Sequence, residues 1–251
     1  VYGIKRKLDL DNIKRLYKTI KSIKDVEKII KDFKPDVMIG TGGYICVSVG
    51  LAAHKKNIPI VLHESNAFPG VAVKLLAKES ARVLLGFEEA KERMDKKAKI
   101  VVTGTPTKIT NNRLTESENA KIKSNLGLKE NVPTVLVFGG SQGAQTINKT
   151  IIGIIENKLN KRYQILWAAG KKNYEDIKEA LKAKGLNIDS LENAKIMPYI
   201  YNMQEAMEIS DLIVSRSGAM TITEISQIGR PAIFIPFPFA AENHQEYNAK
   251  V

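Results

Sequence analysis

The chain has 251 residues, 43% of them apolar, a formal charge of +12 and one cysteine, Cys46. That is enough to bury one large core or two modest ones, while a single cysteine excludes an internal disulfide framework and fits a reducing compartment. No apolar run approaches the ~20 residues that span a bilayer and no signal-peptide pattern opens the chain, so a cytoplasmic protein is expected.

The chain opens on Val1 rather than Met and stops at Val251 after a helix-like stretch, so it reads as a fragment. Its first 24 residues carry eight basic side chains against Asp9 and Asp11, a net +6, which is half of the total excess. Ile13, Leu16, Ile20 and Ile23 recur there at spacings of three and four, placing them on one face of a basic amphipathic helix. Three readings apply: a surface helix packing its apolar stripe on a core, attachment to an anionic membrane surface, and nucleic-acid binding. Nucleic acid ranks last, because no aromatic-interleaved basic platform accompanies the lysines. Asp9-Leu10-Asp11 precedes this helix and reads as its cap.

Apolar runs then alternate with helical patterns: Val37-Met38-Ile39, a helix through Leu51, Ile60-Val61-Leu62, a helix through Leu75 and Leu76, Arg82–Leu85 and Ile100–Val102. This βαβ alternation predicts a parallel sheet with helices on both faces. Near Gly104-Thr105-Pro106 the pattern breaks into a polar segment, and a fresh series follows: Val135–Phe138, Tyr163–Trp167, Ala194–Met197, Leu212–Val214 and Ala232–Ile235. The expected class is therefore α/β, with two Rossmann-like doubly wound parallel-sheet domains, 1–105 and 106–251, both incomplete. Ligands in such sheets sit at the carboxyl ends of the strands.

Two strand-to-helix junctions in the second domain are the most informative. Gly139-Gly140-Ser141-Gln142-Gly143-Ala144 follows one apolar run, and Arg216-Ser217-Gly218-Ala219-Met220-Thr221-Ile222-Thr223-Glu224 follows another. Small residues at a helix start let an anion reach the unpaired N–H groups and the positive end of the macrodipole, so a phosphate-bearing ligand is expected. Glu224 falls about one turn into its helix, where a carboxylate can face the same ligand and grip a cis-diol. No GxxxxGK[ST] loop is present, and Ile45 stands where a dinucleotide fingerprint would need its third glycine after Gly40 and Gly42. His54, His63 and His244 are too few and too scattered to build a zinc site with Cys46, so no metal is expected.

In their order, Gly40-Thr41-Gly42-Gly43-Tyr44, His63-Glu64-Ser65-Asn66, Gly104-Thr105-Pro106, Gly139–Ala144, Arg216–Glu224 and Pro236-Phe237-Pro238 with Asn243-His244-Gln245 closely resemble the MurG family. Those enzymes are peripheral membrane N-acetylglucosaminyltransferases that make lipid II for peptidoglycan. The resemblance spans nearly the whole chain and implies the GT-B architecture, with the acceptor on the first domain and the sugar nucleotide on the second. It implies inverting transfer of N-acetylglucosamine from UDP-N-acetylglucosamine to the 4-hydroxyl of muramic acid in lipid I, without cofactor, at the cytoplasmic face of an anionic membrane. No nucleic-acid partner is expected. Alternatives are a UDP-glucose-dependent diacylglycerol glucosyltransferase and a non-catalytic UDP-sugar or lipid-binding fragment.

Residue by residue, the resemblance makes Glu224 the ribose ligand. It assigns Ser141, Gln142, Gly143, Ser217, Gly218, Ala219, Met220 and Thr221 to the donor. Ile200 would lie near the uracil, although the residue alone reads as core, and Gln245 near the sugar. Lys108 stands where the family usually has an arginine that meets the donor, and a point charge loses the planar fork. Asn66 counts with the donor set and, with Tyr44, faces the cleft. Tyr44, His63 and Glu64 are the catalytic candidates, the last two as an imidazole and carboxylate able to relay a proton. Val47-Ser48 replaces a usual Gly-Pro, Ser65 a Gln and Asn243 an Asp. The family's glycine-rich opening loop and its histidine are expected upstream of Val1.

Overall fold

In a computed structural model the described residues are 10–110, 113–139 and 144–251, with side chains from residue 21 onward. Each of the nine predicted apolar runs forms a strand: β1 (Met38–Gly40), β2 (Ile60–Glu64), β3 (Arg82–Leu85), β4 (Ile100–Val102), β5 (Thr134–Phe138), β6 (Gln164–Ala168), β7 (Ala194–Met197), β8 (Leu212–Ser215) and β9 (Ala232–Phe234). The helices between them are α1 (Leu10–Phe33), α2 (Tyr44–Lys55), α3 (Val71–Leu76), α4 (Glu116–Asn125), α5 (Gln145–Glu156), α6 (Tyr174–Lys182), α7 (Met203–Glu208), α8 (Ala219–Ile228) and α9 (His244–Ala249).

The strands form two all-parallel sheets, one in the order β1-β2-β3-β4 and one in the order β7-β6-β5-β8-β9. The chain divides into two units, Val1–Pro106 with Pro238–Val251, and Thr107–Phe237. The segment from Pro238 groups with the first unit, whereas the sequence reading counts it with the second domain.

In the first unit the chain adds strands in one direction only, so right-handed crossovers place every helix on one side. Met38, Ile60, Leu62, Val83 and Leu85 pack there against Cys46, Ala52, Ala53, Val73 and Leu76. The opposite row begins with Ile39, which is 69% exposed. On α1, Ile23, Val26 and Ile30 form the stripe that packs on this core, and Ser22 donates its hydroxyl to Ser48 Oγ at 2.9 Å. The described part of α1 thus behaves as a surface helix with Lys21, Lys24, Lys28 and Lys31 exposed. The residues before Leu10 lie outside the described range.

The second unit is wound on both faces. Val137, Ile165 and Trp167 face Ile147, Ile151 and Ile155 of α5 and Ile177 and Leu181 of α6. Leu136, Phe138, Leu166 and Ile213 face Ala206 and Met207 of α7 and Ile225 and Ile228 of α8. Strands buried on both faces must be continuously apolar, which is why they stand out in the sequence.

Candidate active site

In the second unit β5 lies between β6 and β8, and the winding direction reverses there. The first crossovers run outward through α5 and α6 on one face, and α7 returns the chain across the other. A crevice opens at such a switch point, outside the carboxyl ends of the strands. The carboxyl ends of β5 and β8 border it, and β8 leads into α8. Ser141, Gln142 and Gly143, at the first junction, lie outside the described residues.

The second junction is well defined. Gly218 is the N-cap of α8, at φ −66° and ψ 142°, and no side chain caps the helix. The first-turn N–H groups of Ala219, Met220 and Thr221 are therefore available to an anion. Ser217 and Ala219 are buried, Thr221 is half-buried, and Met220 is 43% exposed. Glu224 is half-buried on the same helix, with no hydrogen-bond or ion-pair partner for its carboxylate among the described residues. Burial raises its pKa above the ordinary carboxylate value. A desolvated, unpartnered carboxylate just beyond an uncapped helix start is placed to accept hydrogen bonds from a ligand whose phosphate occupies that start.

The rest of this edge includes Arg216, quoted above with its motif but given no role, and two tyrosines the sequence reading passed over. Arg216 donates from Nη1 to the Ile235 and Pro236 carbonyls, both at 3.0 Å, and lies 5.6 Å from the Phe237 ring centroid, joining the exits of β8 and β9. Partial burial lowers its pKa. Tyr199 and Tyr201, after β7, meet edge to face at 5.0 Å beneath Lys171, and both rings are exposed. Aromatic and basic residues in a strand-exit loop are the signal that could have found them. Ile200, between them, is packed in the core with Leu136, Phe138 and Leu166, as its residue type alone suggests. Lys108 is exposed on a segment strapped across α7 and α8, where Thr110 N donates to Gln204 Oε1 at 3.1 Å and Leu114 N to Glu208 Oε2 at 2.9 Å.

In the first unit, Gly42 at φ 92° and Gly43 at φ 77° turn the chain from β1 into α2. That helix also lacks a side-chain cap, and Tyr44, its first residue, is 53% exposed. The expected His63–Glu64 pair does not form, because adjacent strand residues point to opposite faces. His63 Nε2 lies 3.2 Å from the Gly104 carbonyl, which only accepts, so Nε2 carries the proton, and Nδ1 accepts from the Ser65 hydroxyl at 3.3 Å. Both ring nitrogens are thereby engaged. Glu64 is buried, and its carboxylate accepts from Asn66 N at 2.9 Å, Asn66 Nδ2 at 3.0 Å and Gly70 N at 2.7 Å. It shapes the 65–70 loop. Asn66 is half-buried in that loop, and Gln245 lies on α9, within the first unit and not the second.

Among the described residues no group of three or more His, Cys, Asp or Glu is placed to hold a metal ion. Residues 1–85 match the glycosyltransferase family 28 N-terminal domain and residues 134–251 the glycosyltransferase family 28 C-terminal domain. The whole chain is 41% identical to a UDP-N-acetylglucosamine–N-acetylmuramyl-(pentapeptide) pyrophosphoryl-undecaprenol N-acetylglucosamine transferase of Desulforamulus reducens and 42% identical to one of Thermoanaerobacter sp., spanning 67% of the length of each. The crystal structure of Acinetobacter baumannii MurG superposes with a TM-score of 0.69 at 28% identity, over 99% of this chain and 66% of that one. A UDP-GlcNAc 2-epimerase from Neisseria meningitidis, at 18% identity and TM-score 0.58, shares the fold. With this identity along its full length and matches to both halves of the family, the chain belongs to glycosyltransferase family 28, among the MurG-type transferases.

Proposed function

We propose that the protein transfers N-acetylglucosamine from UDP-N-acetylglucosamine to the 4-hydroxyl of muramic acid in lipid I, forming lipid II. The observation that carries this reading is α8, which starts at the switch point of the second sheet with uncapped N–H groups and carries the half-buried, unpartnered Glu224 carboxylate farther along the same helix. The N–H groups take the diphosphate, and Glu224 takes the ribose diol. Tyr199 and Tyr201 offer ring faces for the base farther along the same edge. In the inverting displacement the acceptor oxygen forms a bond to the anomeric carbon as the bond to the diphosphate breaks, and a base takes the hydroxyl proton. The helix start is oriented before the reaction toward the oxygen that gains charge, which stabilises the leaving diphosphate.

The glycine-opened start of α2 supports a second anion contact, suited to the diphosphate of the acceptor. With both ring nitrogens of His63 engaged and Glu64 holding a loop, these residues support the site by shaping it, and Tyr44 and Asn66 face the acceptor side. The exposed lysines of α1 support contact with an anionic membrane surface from the cytoplasmic side. No described helix is long and apolar enough to cross a membrane.

The test is a transfer assay on the purified protein, with UDP-N-acetylglucosamine or UDP-glucose as donor and a lipid I analogue or diacylglycerol as acceptor. Product from the first donor with the first acceptor alone is expected. Glucosylated diacylglycerol would replace this reading with the glycolipid one, and UDP binding without any product would favour a non-catalytic module. Salt-sensitive sedimentation with anionic vesicles tests the membrane contact, and no binding at low salt removes it.

A further inference from the structure

The 65–70 loop is fastened to a stretch of chain some 180 residues away in sequence. Asn248, on α9, is 1% exposed; its Oδ1 accepts the Ala67 N–H at 2.8 Å and its Nδ2 donates to Asn66 Oδ1 at 3.1 Å. Asn66 donates in turn from Nδ2 to Glu64 Oε1 at 3.0 Å. These bonds have one self-consistent orientation. An ionised carboxylate only accepts, so Asn66 presents its nitrogen to Glu64 and its oxygen to Asn248. Asn248 must then turn its nitrogen to Asn66, which leaves its oxygen for the Ala67 N–H. Beside this series the Phe68 and Tyr247 rings meet at a tilt of 32° with centroids 4.8 Å apart, with Lys74 Nζ 4.1 Å from the Phe68 centroid and the Arg93 guanidinium 5.1 Å from that of Tyr247.

We infer that Asn248 is a positioning residue for the transfer reaction, acting through Asn66 and the Ala67 N–H to hold the 65–70 loop in register with the helix that carries Gln245. The inference rests on the proposed reading of that loop as part of the transferase site. The aromatic pair alone would cover the loop, since ring contacts tolerate sliding. The directional amide series does more: it fixes the plane of the Asn66 amide, whose second Nδ2 hydrogen is free of these bonds and can face a ligand. Gln245 lies one helical turn before Asn248, so the same anchor sets its helix relative to the loop.

The experiment is a double-mutant cycle on transfer with Asn66→Ala, Asn248→Ala and the pair, each checked by a UDP titration, because the nucleotide contacts belong to the second unit. UDP affinity is expected to stay within about twofold while kcat/KM for Asn248→Ala falls about tenfold or more, the scale of a misplaced reacting group. The pair is expected to lose clearly less than the product of the two single losses, because Asn248 acts in part through Asn66 and in part through the Ala67 N–H. Wild-type turnover in Asn248→Ala, or losses that multiply in the pair, overturns the inference while the functional reading stands. A wild-type protein that transfers nothing overturns both. If Asn248→Ala loses UDP binding, Asn248→Asp keeps the acceptor for the Ala67 N–H and turns an oxygen toward Asn66. The same loss of turnover is expected there, and an unchanged rate overturns the inference.

Discussion

Replacing Glu224 with glutamine separates its contribution to the fold from its contribution to the ligand. The side chain is half-buried and raised in pKa by that burial, and it has no partner among the described residues. A carboxyl with a raised folded-state pKa contributes stability that is present below the unfolded value and lost as pH rises through the folded one. At neutral pH the charge is therefore a cost to the fold, and Glu224→Gln is expected to melt at or slightly above the wild-type temperature. Ligand binding should move the other way. Two hydrogen bonds from a diol to a carboxylate contribute about 1.5–3 kcal/mol each, and glutamine retains one neutral acceptor, so the loss is about 2–4 kcal/mol, or roughly 30- to 1,000-fold in Kd. Calorimetry with UDP and UDP-N-acetylglucosamine measures it, and a 2′,3′-dideoxy analogue, which has no diol, is the control. Wild-type affinity should fall with pH through the raised pKa, and the variant should lack that dependence. An unchanged Kd for UDP, or equal losses for UDP and the dideoxy analogue, would refute the assignment of this carboxylate to the ribose.

Three further expectations follow from the local geometry. Gly218→Ala should fold normally, since the backbone is at φ −66° and an added Cβ would meet only Thr221 Oγ1 at 3.8 Å, yet its methyl would stand before the α8 N–H groups. A melting temperature within a few degrees of wild type, with UDP binding weakened about tenfold or more, is the expected pair of results, and retained affinity would move the phosphate elsewhere. Gly86→Ala should destabilise by about 1–3 kcal/mol in chemical denaturation, because overpacking has little room to relax. Its Cβ would overlap Thr105 Oγ1 and lie 3.0 Å from the Ser65 carbonyl oxygen, and wild-type stability would mean that the backbone moves. Lys108→Arg should tighten UDP several-fold and leave uridine unaffected, because a planar fork gains only where a phosphate is present; equal effects on both would place Lys108 away from the phosphates.

Much of the architecture was readable from the chain, for a physical reason. A parallel strand buried on both faces must be apolar throughout, so β5, β6 and β8 announce themselves as Val135–Phe138, Tyr163–Trp167 and Leu212–Val214. The small residues at Gly218-Ala219 likewise mark a helix start made for close approach. Even the separation of His63 from Glu64 was available, since two adjacent residues of a strand cannot share a face.

Other features depend on partners that local sequence does not name. Nothing in residues 238–251 announces that they return to the first unit, because that placement rests on the bonds of Asn248 to Ala67 and Asn66, 181 and 182 residues away. The same holds for Arg216, whose carbonyl acceptors lie 19 and 20 residues downstream, on the exit of a neighbouring strand. The environment of Glu224 was also decided in three dimensions. Its position one turn into a helix is set by the chain, but its burial without a counter-charge is set by the elements packed around it. Local pattern therefore determined which segments are strands and helices. Tertiary packing decided which polar groups are already satisfied and which are left for a ligand, because a hydrogen bond needs its partner in space.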